Sequence, residues 1–85
     1  MEEPYMDIAT NLLHDMRLKI EGAVDLYECD GLPLRNLAVR NDMLISANAY
    51  DTIGSALYDL REHIRDLQEA HMKEVVRLVW ERHVQ

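Results

Sequence analysis

Apolar residues recur along this chain at steps of three and four, the spacing that gathers side chains on one face of an α-helix. In the first segment Tyr5, Ile8, Leu12, Leu13, Met16, Ile20, Ala23, Val24 and Tyr27 follow that spacing, and Arg17, Lys19, Glu21, Asp25 and Glu28 fall mainly off it. Leu18 lies nearly opposite the stripe and is a candidate exposed contact. Pro4 suits a first helical turn, where its missing N–H costs nothing, and Asp7 favours the unpaired amides of a helix start. The pattern predicts a helix over about residues 4–28.

Cys29-Asp30-Gly31-Leu32-Pro33 is the strongest punctuation in the chain. A glycine can take the left-handed backbone that closes a helix, and a proline can restart one, so a turn is expected at residues 29–33. A connection that short folds the next helical region back as an antiparallel hairpin. Helical spacing then continues over about residues 34–83. Leu34, Leu37, Ala38, Leu44 and Ile45 form one face, and the residues from Ile53 onward form another. Between them Asn41-Asp42, Asn48 and Gly54-Ser55 are poor helix formers, which predicts a kink or break near residues 46–55.

Ile53, Leu57, Leu60, Ile64, Leu67 and His71 alternate steps of four and three, a heptad seam expected to join chains. The step of four from His71 to Val75 resets the repeat. A helix over residues 50–83 would be roughly 50 Å long, against less than about 40 Å for the first helix. The surplus calls for a second copy, and a homodimeric helical bundle is the expected assembly.

Composition narrows the class. Among 85 residues there are only three Gly and two Pro, and aromatics make up 6%, too few turn formers and sheet-filling side chains for a sandwich or barrel. The fold class is therefore all-α, a single helical domain. Cys29 is the only cysteine, so no disulfide can form within the chain, which points to a reducing, cytoplasmic location. No run reaches the roughly 18 apolar residues of a membrane span, and the start Met1-Glu2-Glu3-Pro4 lacks the basic region of a signal peptide. A formal net charge of -7 repels phosphate backbones and anionic lipid and favours a basic protein partner.

Candidate chemistry is sparse. His14, His63, His71 and His83 contain no pair at the spacing of a helical metal site, and Asp59 with His63 reads as a surface pair. No metal, cofactor or catalytic residue is predicted. His71, between Leu67 and Val75, is expected to be a hydrogen-bonded seam residue, with a register-setting or pH-sensing role as the sharper reading. Cys29 is expected to pack at the turn, with Glu28, Asp30 and helix-end carbonyls disfavouring its thiolate. From Arg61 to Lys73 the charges alternate in sign, as on a solvated helix face. Met72, Val76 and Trp80, with Met43, Val79 and Val84, fall off the seam and form the candidate partner-binding group, since Trp and Met are enriched where proteins meet. The expected function is a non-enzymatic regulator, adaptor or inhibitor acting through protein–protein contacts. A dimeric DNA-associated regulator is the alternative, and a small enzyme ranks third.

Overall fold

The computed structural model describes residues 2–84, with side chains described for residues 5–83. It is an all-α antiparallel hairpin about 67 Å long and 16 by 14 Å across. The first arm comprises α1 (Glu2–Leu26), a π-helical turn (Tyr27–Gly31) and α2 (Leu32–Arg40); the second is α3 (Leu44–Val84). Among the described residues no helix is long and apolar enough to cross a membrane.

The chain does not reverse at residues 29–33. Gly31 stays right-handed, at φ -73°, and the helix runs straight through. Pro33 explains the form this takes, because a proline inside a helix lacks the N–H for the usual bond and its ring crowds the carbonyl four residues back, here that of Cys29. Widening the ladder by one residue absorbs the conflict: the Leu32 N–H donates to the Tyr27 carbonyl, five residues back. A sequence signal for termination is thus met by a bulge, and Cys29 is exposed on it rather than packed at a chain reversal.

The reversal falls at Asn41–Met43. Met43 N–H donates to Ala38 O at 2.8 Å and Asp42 N–H to Val39 O at 3.1 Å, the paired bonds of a Schellman cap. The Asn41 side-chain amide adds a bond to Leu37 O at 2.8 Å. Asp42 takes the left-handed conformation, at φ 59°, which its short polar side chain tolerates better than a branched one. Arg35 straps the arms beside this turn through a two-pronged pair with Asp51, Nε to Oδ1 at 3.0 Å and Nη2 to Oδ2 at 3.3 Å. Asp42→Val should lower stability by about 1–2 kcal/mol, and Asp42→Gly should not, when both are compared by thermal unfolding.

The break expected near residues 46–55 is absent, since α3 is continuous over 41 residues. Packing overrides the low propensity of Asn48 and Gly54, and Thr52 Oγ1 returns a bond to Asn48 O at 3.0 Å within the helix. The length mismatch disappears with it, because the arm from Glu2 to Arg40 nearly matches α3. The core is a single seam between the arms, with Leu13, Ile20, Val24, Tyr27 and Ala38 from the first arm buried against Ala47 and Ile64 of the second.

Candidate functional site

A two-helix hairpin divides its surface by helical position. Apart from Ser46 and Tyr58 at its margins, the buried or half-buried residues of α3 fall at Ala47, Tyr50, Gly54, Leu57, Arg61, Ile64, Gln68, His71, Val75 and Leu78, an unbroken alternation of three and four. This is a heptad seam, but it faces the first arm. It shares Leu57, Ile64 and His71 with the seam expected from the sequence and replaces Ile53, Leu60 and Leu67 by their neighbours Gly54, Arg61 and Gln68. Ile64 is 4% exposed, whereas Leu60 and Leu67 are 47% and 54% exposed. The six residues therefore serve two surfaces instead of one.

Tyr27 sets this register. Its buried ring lies over Gly54, where a Cβ would stand 2.7 Å from Tyr27 Cε2 and nearer still to Cζ. The ring meets Tyr58 edge-on, with centroids 6.3 Å apart and planes at 90°. Arg61 places its guanidinium carbon 5.2 Å from the Tyr58 ring centre and reaches Glu21 at 3.9 Å. Partial burial pushes the Tyr58 phenol above its ordinary value, reinforced by Glu28, whose carboxylate accepts its hydroxyl hydrogen bond. Only a residue without a side chain at position 54 lets Tyr27 in, and once it is in, Ile53, Leu60 and Leu67 turn outward.

Where they turn follows from helix handedness. A right-handed helix advances about 100° per residue, and antiparallel helices seen from one end rotate in opposite senses. Residues one step before a seam position thus lie on the same side of the hairpin in both arms, and residues one step after it lie on the other. The first set contains Tyr5, Ile8, Leu12, Leu26 and Leu37 with Ile53, Leu60 and Leu67, all exposed. This is an apolar flank running most of the rod's length.

The second set is polar: Glu21 and Arg17 follow Ile20 and Met16, Arg65 and Glu69 follow Ile64 and Gln68. An ion pair and a hydrogen bond across it agree with the geometry. Arg65 Nη2 lies 2.9 Å from Glu21 Oε1, and Arg17 Nη1 donates to Gln68 Oε1 at 2.9 Å. Asp7, Glu21, Asp25, Glu28, Asp51, Glu62 and Glu69 outnumber Arg17 and Arg65 there, so most of the acidic excess lies on this flank. The charges of the apolar flank, by contrast, nearly cancel: Asp15 with Lys19, and Glu74 with Arg77, with Asp30 left over near the turn end.

At the open end of the hairpin Met72, Val76 and Val79 follow seam positions His71, Val75 and Leu78, and so lie on the polar side. Trp80 is 68% exposed beside them. Val75, Val76, Val79, Trp80 and His83 line an open groove of about 340 Å³. The expected partner-binding residues Met72, Val76 and Trp80 are thus all exposed and spread over little more than two helical turns.

His71 is half-buried in the seam and bonded across the arms. Thr10 Oγ1 donates to Met6 O at 2.7 Å, so its lone pairs face His71 Nε2 at 2.9 Å, an arrangement satisfied when that nitrogen carries the proton. His63 and Asp59 are both exposed. Among the described residues no three His, Cys, Asp or Glu side chains gather as metal ligands do. Comparison with protein-family models, curated proteins and solved structures finds no match to this chain.

The residues least visible in the sequence were those that join the arms through polar or absent side chains: Gly54, Arg61 and Gln68. Their common spacing of seven was the available signal. The first stripe includes Tyr5, Ile8 and Leu12, whereas they stand one position outside its buried edge, and Leu26, off that stripe, stands at the same outer position.

Proposed function

We propose that the chain is a non-enzymatic interaction protein that regulates, adapts or inhibits by presenting its helical flanks to other polypeptides in a reducing cytoplasm. The observation that supports this most directly is the segregation of the surface into an apolar flank and an acidic, ion-paired flank with an apolar groove at its open end. Exposed apolar strips of this extent are characteristic of protein contacts. Trp80 has the side chain best suited to anchor a partner, and its exposure leaves it unspent in the fold. Charges in its own turns are mixed, Lys73, Arg77 and Arg82 against Glu74 and Glu81. The preference for a basic partner therefore rests on the field of the whole acidic flank, which accelerates encounter rather than holding the complex.

Immobilised wild-type and Trp80→Ala proteins, presented with an extract of the native cell, test the reading. A specific protein should be retained by the wild type at about 50 mM salt and largely lost at about 500 mM, where screening shortens the Debye length severalfold. Trp80→Ala should retain it poorly while its far-ultraviolet circular dichroism stays unchanged, because the indole supports little of the seam. Retention of duplex DNA that survives both treatments would favour the DNA-associated alternative and end the proposal.

A further inference from the structure

We infer that the apolar flank is the binding site for a second copy of this chain, two hairpins packing flank to flank into a four-helix bundle with their acidic flanks outward. The inference rests on the interaction-protein reading and names the partner of one of its two surfaces. It differs from a dimer built on the sequence heptad, because Leu57, Ile64 and His71 are already used within the hairpin. The contact surface is instead composite, Ile8, Leu12 and Leu26 of α1 beside Ile53, Leu60 and Leu67 of α3.

Area is the first support. The chain exposes 6714 Å², whereas a compact protein of its mass exposes about 5,200 Å². The excess of about 1,500 Å² comfortably exceeds the roughly 800 Å² that each partner buries in a standard interface. A layer one hairpin thick has no second layer against which to bury an apolar side, and a second hairpin supplies one.

Charge is the second. Two chains of net charge -7 repel each other unless they meet where the charge is balanced. The apolar flank is that place, since its Asp15 and Glu74 are matched by Lys19 and Arg77 and only Asp30 is left over, whereas the opposite flank is strongly acidic. A basic partner would prefer the acidic flank, and a like-charged copy is excluded from it. Shape is the third: a straight strip along a 67 Å rod is matched along its length by another rod of the same length.

Light scattering and sedimentation across a dilution series of the wild-type protein decide the point without any variant, and twice the chain mass at micromolar concentration is expected. Leu60→Asp combined with Leu67→Asp should weaken self-association by at least about 100-fold, because each leaves a carboxylate in an apolar contact. The same variant should keep its helical circular dichroism, as neither side chain fills the seam. Val76→Asp, on the other flank, should leave the mass at two chains. A wild-type monomer at high micromolar concentration overturns the inference, as does a dimer dissociated by Val76→Asp and not by the flank pair. A monomer that nevertheless captures a different protein through Trp80 would sink the second copy and leave the interaction reading standing.

Discussion

Gly54→Ala is expected to destabilise the protein by about 2 kcal/mol, although alanine is the better helix former by about 1 kcal/mol. In an exposed helix interior the substitution would raise stability. Here the new methyl would enter the Tyr27 ring, and that ring is buried between Gly31 and Gly54 with Tyr58 at its edge. Neither the ring nor the helix can yield alone, since moving α3 away separates Ile64 and Ala47 from the first arm. For a domain this small a loss of that size lowers the thermal midpoint by on the order of 10 °C. Tyr27→Leu should remove the conflict, so Gly54→Ala in that background should be neutral or favourable. A double-mutant cycle by thermal or urea unfolding measures the coupling, and additive effects would show that Tyr27 does not set the register.

Ile64→Ala should cost about 2–5 kcal/mol, the range for emptying a buried aliphatic position. The seam is one layer deep, so the cavity it leaves has few neighbours able to close it. The informative comparison is with Leu60→Ala, four residues earlier. Ile64 is covered by the chain's own first arm, so its loss should be the same at every protein concentration. Leu60 lies on the outer flank, so whatever its loss costs should grow with the share of protein associated with a second copy. Urea unfolding of both variants at two concentrations about 50-fold apart separates the two. A concentration dependence for Ile64→Ala as large as a measurable one for Leu60→Ala would place Ile64 at a contact between chains.

Much of this architecture was legible in the order of residues. The period of the apolar positions is intrinsic to the sequence, and with so few glycines and prolines it admits helices and little else. One reversal and an antiparallel hairpin follow from there being two such stretches. Exposed Leu18 and Trp80 were also visible as apolar residues off their stripes.

The place of the reversal and the allocation of faces were not legible, for two separate reasons. A Gly-x-Pro sequence and an Asn-Asp sequence each permit a helix to end, and local propensity cannot rank them. Continuing through Pro33 costs one widened turn and lets the first arm pair with nearly all of α3, whereas ending there would leave much of α3 uncovered. The ranking is thus made by contacts far apart in the chain. Likewise, Ile53, Leu60 and Leu67 carry a stronger apolar signal than Gly54, Arg61 and Gln68, and a pattern read along one helix assigns the stronger set to the interior. Which set faces inward depends on what the opposite arm presents. It presents a tyrosine that fits only where a side chain is missing, a glutamate within reach of Arg61 and an arginine within reach of Gln68, so α3 settles one residue round from the face its own sequence favours.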